Sequence, residues 1–293
     1  MYKSERLAKQ CNPNRVSFFR LLISSLVLLA FYSPQHSKAQ GNLLIMPRRV
    51  VFEGAKKSQE LTLANTGGDS AKYVVSIVQM RMKEDGSFEP ITIPDSGQFF
   101  ADKYLRFFPR TVFLPPNQSQ VVKMQLMKSA RMADGEYRSH IYFRSVPNDK
   151  PLGQKASDVD TAAVSVQLTP VFGITIPVII RVGDCSVKVA LRDLAVEMVS
   201  DTLPRLQFTF NRSGNISVYG DLTVNYTSPE GKVSRVAIVR GVAVYTPNTK
   251  RKFQCDLDRS PGVDYHKGKL TILYNTPDDV KTTRIADAEL LLR

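Results

Sequence analysis

The sequence predicts an all-β protein made of β-sandwiches, and three features of the chain indicate this. Apolar runs are short and recur about every ten residues. Turn-forming residues separate them, notably at residues 65–68, 84–86 and 115–117. No segment carries the apolar period of an amphipathic helix longer than a turn or two. Short strands separated in this way are typical of antiparallel sandwiches.

The first 39 residues have the composition of a secretory signal peptide. Basic residues precede an apolar run over residues 21–32, and Ser37, Lys38 and Ala39 form a small-x-small cleavage site. The apolar run is about twelve residues long, which is too short to span a bilayer, and no later segment is longer. We therefore expect an exported chain that begins near Gln40 and does not insert into a membrane.

The mature chain is basic, but its charge is spread out. Removal of residues 1–39 leaves 34 Lys and Arg against 26 Asp and Glu, a net charge of +8, over 254 residues (293 minus 39). This length allows one large β domain or two of ordinary size. No basic run is interleaved with aromatic residues, so we expect no nucleic-acid partner.

The mature chain divides into a series of predicted strands. In the first half they are LLIMP, RVVFEG, QELTLAN, KYVVSIVQM, RTVFLPP, SQVVKMQLM, EYRSHIYFRSVP and residues 164–176. In the second half they are SVKVALRDLAVEMV, LPRLQFTFNRSG, SVYGDLTVNYTSPEG, VAIVRGVAVYTP, KGKLTILYNT and AELLLR. The apolar run that starts at Ile174 ends at Val182, so we predict a signal peptide over residues 1–39, a first domain over 40–182 and a second over 183–293.

The strand over residues 164–176 is the most informative segment. Its even positions are apolar, its odd positions are mostly polar, and its 13 residues are about twice the usual strand length. Pro170 cannot donate a hydrogen bond to a neighbouring strand, which confines the segment to a sheet edge or a bulge. Edge strands recruit other chains unless charge or shortness prevents it, and this one carries no charge. It is either a long last strand buried in its own domain or a strand that pairs with a partner.

The sequence around Tyr137 indicates which kind of sandwich is present. An Asp-Gly turn followed by Tyr137 has the spacing of the tyrosine corner of immunoglobulin-like domains, with Ser139 where an antibody domain has a cysteine. Alternate residues from Tyr137 to Phe143 then face the core. The other interpretation is an ordinary Asp-Gly turn, and both interpretations start a strand here.

Two cysteines, Cys185 and Cys255, remain after the leader, and both fall in the second domain. In an oxidising compartment a disulfide between them is one expectation, and two unpaired buried thiols are the other. Their separation does not fit a metal cluster, and no histidine lies near either with ligand spacing. We therefore expect no metal site.

The residues give little indication of catalysis. The mature chain has two histidines, His140 and His266, and it lacks a Gly-x-Ser-x-Gly elbow, a His-Glu-x-x-His zinc helix and a phosphate-binding glycine loop. His140 is expected to point outward from its strand, and His266 lies in a polar turn. We expect a protein that is not an enzyme and uses no cofactor.

Several short motifs resemble the periplasmic chaperones of the chaperone–usher pilus pathway. They are PRRVVFEG (residues 47–54), LTLAN (61–65), PRTVFLPP (109–116), QVVK (120–123), Glu136, and Val146 with Pro147. This likeness covers residues 43–182. Over the second domain, the strand pattern and Asp264 with Tyr265 are what match.

The resemblance implies two immunoglobulin-like domains in an L or boomerang arrangement and a periplasmic location. Such chaperones bind pilus subunits that arrive as incomplete sandwiches, supply them with the long last strand of the first domain, and deliver them to an outer-membrane usher. The residues that would enter the groove of the subunit are Val164, Val166, Leu168, Pro170 and Phe172. Self-association of free molecules through the same strand is a further expectation.

Members of the family hold the C-terminal carboxylate of the subunit with two basic residues between the domains. Arg49 matches the first, with Arg48 as a lesser candidate, and a guanidinium can bind a carboxylate through two hydrogen bonds. The second, a lysine late in the donated strand, has no counterpart, because Pro177 stands at its place. The alternative is that Arg49 is an ordinary surface residue.

Members of the family also link their domains through a cluster of an acid, an arginine and a second acid. The matching residues are Glu136, Arg181 and Asp264. The implied role of this cluster is to fix the angle between the domains.

Two other functions fit parts of the sequence. A structural pilin or adhesin-like sandwich protein would also be exported and all-β. Pilins, however, carry their alternating strand as an N-terminal extension, whereas here it is internal and a second domain follows. A chaperone-like protein that serves another surface structure would differ in the client it binds.

Overall fold

The computed structural model describes residues 43–127, 132–146, 171–199, 203–259, 261–277 and 282–293. Over these residues the regular structure is eighteen strands and one short 3₁₀ turn, Asp102–Tyr104. None of the helical segments in the described part of the chain has the length and apolarity needed to cross a membrane. The all-β prediction is confirmed.

The strands fall into two groups along the chain. The first group is β1 (Leu43–Met46), β2 (Val50–Phe52), β3 (Ser58–Asn65), β4 (Ala71–Val78), β5 (Met80–Met82), β6 (Phe88–Pro90), β7 (Leu105–Phe108), β8 (Thr111–Leu114), β9 (Ser119–Leu126), β10 (Gly135–Val146) and β11 (Gly173–Val182). The second group is β12 (Val187–Val199), β13 (Leu203–Gly214), β14 (Val218–Thr227), β15 (Val233–Val244), β16 (Lys250–Asp256), β17 (Gly268–Asn275) and β18 (Arg284–Leu292).

Each group builds one sandwich. In the first, a sheet of order β1-β3-β9-β7 faces a sheet of order β2-β11-β10-β4-β8, and a core with Phe52, Leu61 and Phe143 lies between them. In the second, a sheet of order β12-β13-β16 faces one of order β15-β14-β17-β18 around Phe210 and Tyr274. The alternating apolar positions of the strands supply both cores, as two-residue periodicity requires. Two sandwiches are the predicted fold class.

The segment between β4 and β7 differs most from the prediction. The apolar run of β4 continues into β5, which pairs with β6 as a separate hairpin across the turn expected at residues 84–86. Gly86 has φ of 84°, which suits glycine at this tight turn. β7 was not among the predicted strands. The long strand predicted over residues 164–176 is described from Gly173 onward as β11, and residues 164–170 lie outside the described residues.

A third, smaller apolar cluster joins the two sandwiches. It contains Met82 of the hairpin, Ile179 of β11, and Ala243 and Tyr245 at the end of β15, all buried. Two hydrogen bonds reinforce it: the Asn248 side-chain amide donates to the Met82 carbonyl at 2.8 Å, and the Lys252 N–H donates to the Glu84 carbonyl at 2.7 Å. The two sandwiches therefore belong to one compact unit.

Candidate functional site: the β11 edge and the arginine-lined cleft

The hydrogen-bonding directions of β11 are set by its pairing with β10. The Ser145 N–H donates to the Phe172 carbonyl at 2.8 Å, so the backbone N–H and C=O groups of Phe172 point toward β10. Backbone hydrogen-bonding groups point to alternate sides along a strand. Those of Ile174 and Ile176 therefore also point toward β10. The backbone groups of Gly173, Thr175 and Pro177 point away from it.

The side of β11 that faces away from β10 is partly open. β2 pairs with β11 in parallel at Val178, Ile179 and Ile180. Among the described residues, no strand pairs with the outward side of residues 173–177. Pro177 has no N–H to donate, and it lies on this outward side, just before β2 begins. The proline therefore leaves the pairing with β10 intact.

One apolar row of β11 passes from the core to the surface. Ile176, Val178 and Ile180 are buried in the first core. The same row continues to Ile174, which is 37% exposed, and Phe172, which is 50% exposed. The predicted continuation of this row, Val164, Val166, Leu168 and Pro170, lies outside the described residues, so the role of these four stays a prediction.

Arg49 lies beside the open edge. Val50 pairs with Val178, so Arg49 is level with Pro177 in the parallel register. The predicted anchor and the position of the missing second anchor are therefore neighbours. The guanidinium carbon of Arg49 is 4.7 Å from the centre of the Tyr219 ring and 5.9 Å from that of Tyr245. Its Nε is buried and has no hydrogen-bond partner among the described residues.

Arg49 lines a cleft of about 750 Å³ between the two sandwiches. Four arginines and two carboxylates line it, for a formal charge of +2: Arg48, Arg49, Arg181, Arg240, Glu53 and Asp221. Such a balance favours a bound anion. Arg48, the lesser candidate, is exposed. No sequence pattern marks Arg240 or Tyr219 as site residues, because they come close to Arg49 only through the folding of the second sandwich.

The structure brings together two of the three residues of the predicted interdomain cluster. The Arg181 Nε lies 3.4 Å from a carboxylate oxygen of Glu136, whose side chain is fully buried. Glu136 also accepts hydrogen bonds from the N–H, at 2.9 Å, and the hydroxyl of Ser217. Arg181 in turn donates to the Ser217 carbonyl at 3.1 Å. Residues of both sandwiches are thus joined.

Asp264 does not join this cluster. Its carboxylate accepts the N–H of His266 at 3.0 Å and pairs with Lys267 at 3.3 Å, in the turn before β17. The second acid beside Arg181 is Glu53, at 3.4 Å. The prediction of Asp264 as the third member is therefore wrong for the described geometry, since a local turn engages its carboxylate.

The outward face of β10 is covered, which overturns the expectation of an exposed His140. Glu136, Arg138 and His140 are all buried there. Arg138 donates to the carbonyls of Met80 at 3.3 Å and Thr246 at 3.2 Å. The His140 ring packs edge-on against Phe88 at 5.6 Å, and burial followed by the nearby Arg138 charge lowers the pKa of His140 to about 3.

The inner face of β10 contains the predicted tyrosine corner. The Tyr137 hydroxyl donates to the Ala133 carbonyl at 3.3 Å, which is the upstream backbone bond of that motif. The Ser139 hydroxyl accepts the N–H groups of Ala101 at 2.9 Å and Asp102 at 3.1 Å. Both side chains are buried, as the alternation predicts.

The possible disulfide is not formed: Cys185 and Cys255 are both free thiols. Cys185 lies just before β12, whose first residue pairs with Gly214, whereas Cys255 pairs with Leu206. Eight residues of β13 separate these points, roughly 26 Å at 3.3 Å per residue. A disulfide needs Cα atoms about 4.4–6.8 Å apart. Burial raises the pKa of the Cys255 thiol to about 11.

A cluster of metal-binding side chains is not found in the described segments. No three His, Cys, Asp or Glu side chains come together there in a way that could hold a metal ion. The cleft instead offers guanidinium groups and aromatic faces, which bind anions and cations without a metal.

Comparison with known proteins gives matches among solved structures. No protein-family model matches the sequence, and no curated protein matches it. Three of the matching structures contain chaperones. One is the CsuC–CsuE chaperone–tip subunit pre-assembly complex from archaic chaperone–usher Csu pili of Acinetobacter baumannii, with 12% identity, coverage of 84% of this chain and 98% of that chain, and a TM-score of 0.43. The others are the Salmonella enterica SafA pilin in complex with the SafB chaperone (13% identity, 87% of this chain, 99% of that chain, TM-score 0.40) and the Pseudomonas aeruginosa CupB2 chaperone (15% identity, 85% of this chain, 100% of that chain, TM-score 0.41).

Proposed function

We propose that this protein is a periplasmic chaperone that binds pilus or fimbrial subunits through the outward edge of β11 and the segment before it, and delivers them to an outer-membrane usher. The observation that carries the proposal is the open edge of β11, where the apolar row leaves the core at Ile174 and Phe172. An open edge with exposed apolar side chains recruits an additional strand.

The cleft defines the direction of the strand that would be added. Arg49 is level with Pro177, immediately before β2 begins to pair with the outward side of β11. A client chain whose C-terminal carboxylate binds Arg49 ends at this point. Its last strand therefore extends away along residues 173–177, parallel to β11 and in line with β2. The carboxylate also fixes the register, which matters because a slip by one residue reverses every side chain.

The apolar row supplies the free energy of this pairing. Val164, Val166, Leu168, Pro170 and Phe172 would fill the groove of an incomplete subunit. Full burial of a large apolar side chain contributes about 1.5–3 kcal/mol, so four or five contribute roughly 6–15 kcal/mol before the costs of association. This range allows stable capture and later replacement by a better-matched strand.

A co-purification experiment tests the proposal. The chain is expressed in the periplasm together with a pilin-like subunit, either as wild type or with Leu168→Asp and Phe172→Asp together. We expect the wild-type chain to recover a subunit one-to-one and to be absent from the finished fibre. The double variant should lose the subunit, because two charges would enter the apolar groove.

Phe113→Asp is the matched control, because Phe113 is 58% exposed on β8, at the far edge of the same sheet. This variant should still recover the subunit. Unchanged recovery by a folded double variant contradicts the proposal, and incorporation of the chain into the fibre favours the structural-subunit alternative.

A further inference from the structure

We infer that Tyr219 of the second sandwich is a positioning residue for the carboxylate anchor Arg49, so that both sandwiches build the anchor. The inference rests on the proposed function, since it concerns the same cleft. Tyr219 lies on β14, and Arg49 immediately precedes β2 of the first sandwich.

The contact fixes the plane of the guanidinium. The Arg49 Cζ lies 4.7 Å from the centre of the Tyr219 ring, well inside the range of a cation–π interaction. An arginine side chain otherwise samples many rotamers, and binding a carboxylate would require it to lose them. A ring that holds the guanidinium before binding reduces this loss.

The contact also determines which edge of the guanidinium is available. Nε is buried and unpartnered among the described residues, so a carboxylate cannot reach it. The two terminal nitrogens are left to make a paired, two-oxygen contact. Nearby, Arg181 is already paired with Glu136 and Glu53, while Arg49 takes no part in the ion pairs of the described residues.

Tyr219 is itself held by its surroundings. It pairs with Ala243 across β14 and β15 and packs against the cluster that joins the sandwiches. A Cβ added at Gly241 would lie 3.0 Å from the Tyr219 hydroxyl oxygen, so the glycine leaves room for the ring. Gly241 has φ of 73° and donates its N–H to Asp221 at 2.8 Å. This irregularity of β15 and the Tyr219 ring therefore fit each other.

A peptide-binding experiment tests the inference. The probe is a synthetic peptide of about ten residues with alternating apolar side chains, roughly 33 Å when extended, made once with a free C-terminal carboxylate and once as the amide. Dissociation constants are measured for the wild type, Tyr219→Phe, Tyr219→Leu and Tyr219→Met. The readout is the preference for acid over amide.

We expect the wild type and Tyr219→Phe to prefer the acid, because both keep an aromatic face over Arg49. Tyr219→Leu and Tyr219→Met should lose roughly two- to tenfold of that preference, with the affinity for the amide unchanged. The same Tyr219→Leu change made together with Arg49→Lys should have a smaller effect, because lysine has no plane to hold.

Three results overturn the inference, and they are distinguishable. If the wild type, Tyr219→Leu and Tyr219→Met all prefer the acid equally, the role of Tyr219 is overturned, while the proposed anchor Arg49 stands. A wild type with no acid preference overturns the proposed anchor together with it. A loss of affinity for acid and amide alike in the Leu and Met variants assigns Tyr219 a structural role and also overturns the inference.

Discussion

Burial determines the charge state of His140 and makes the fold sensitive to pH. The residue is 3% exposed, and its pKa falls to about 3, because of burial first and the charge of Arg138 second. Glu136 and Arg138 lie on the same face of its own strand, β10, and the Tyr245 ring lies 6.5 Å from the imidazole ring. In the unfolded chain the pKa is about 6.5, so between about pH 6.5 and 3 the unfolded state binds a proton that the folded state does not.

We predict that His140 makes the protein less stable in acid. The His140 contribution is fully present above about pH 6.5 and is lost as the pH falls toward 3. Between about pH 6 and 4 the free energy of unfolding should fall about 1.4 kcal/mol per pH unit more steeply in the wild type than in His140→Gln. Urea denaturation at several pH values measures this. His266→Gln, at an exposed position, is the control, and parallel profiles for His140→Gln and wild type would contradict the prediction.

Of the two acids predicted to contact Arg181, Glu136 does so and Asp264 does not. Glu136 is buried and accepts hydrogen bonds from Ser217 and Arg181, whereas Asp264 makes local contacts in an exposed turn. We predict that Glu136→Ala lowers the free energy of unfolding by about 2–3 kcal/mol, because hydrogen bonds to a buried charge are lost. Asp264→Ala should change it by less than about 0.5 kcal/mol. Chemical denaturation measures both, and equal effects would restore the three-residue cluster that the resemblance implied.

Residue identity predicted some positions well and others poorly, for a physical reason. The alternation from Tyr137 to Phe143 predicted correctly which side chains share the inner face of β10. It could not reveal that the hairpin and the second sandwich cover the other face, so His140 was expected to be exposed. A two-residue period identifies residues that share a face, while the burial of that face depends on distant parts of the chain.

Individual strands are also joined by single polar side chains, and Asn65 is the clearest example. It ends β3, is 1% exposed, and its side-chain amide donates to the carbonyls of Asp69 at 2.8 Å and Leu114 at 3.0 Å. Its side-chain oxygen accepts the N–H of Gly67 at 3.0 Å. Asn65 thus links a strand of one sheet to β8 of the facing sheet.

We predict that Asn65→Ala lowers the free energy of unfolding by about 2–3 kcal/mol, because buried carbonyls lose their donor. Asn65→Asp should cost at least as much, since a carboxylate has the same shape and no N–H to donate. Denaturation midpoints and hydrogen exchange of β8 measure the effect. An Asp variant as stable as the wild type would show that the amide bonds contribute little.

At the level of strands, the sequence predicted where most strands lie along the chain better than which strands lie beside one another. Turn residues and alternation located most strands of both sandwiches, but β7, β16 and the separate β5–β6 hairpin were missed. LRFF and MRM are short and carry no clear alternation, and KRKFQCD of β16 is mostly charged or polar. Pro177 could be read as the place of a missing lysine. That it also lies on the outward side of β11, level with Arg49, depends on the parallel register with β2.

The two sandwiches act as one unit through a small number of contacts, which the sequence could not predict. Arg181 and Glu136 were found by resemblance, yet Glu53 replaces Asp264 beside them. Tyr245 had no distinguishing pattern. Its ring nevertheless lies near Phe88 at 5.9 Å and His140 at 6.5 Å, and the guanidiniums of Arg138 and Arg49 lie 4.6 and 5.9 Å from its centre.

We predict that Tyr245 makes the unfolding of the two sandwiches cooperative. Tyr245→Ala should lower stability by about 3–5 kcal/mol, as for other large buried aromatic residues. Because the lost contacts are mostly with the first sandwich, the single thermal transition expected for the wild type should separate into two. Differential scanning calorimetry measures this through the ratio of van't Hoff to calorimetric enthalpy. Tyr245→Phe keeps the ring and should keep one transition, whereas one transition with a ratio near one in Tyr245→Ala would show that other contacts couple the sandwiches.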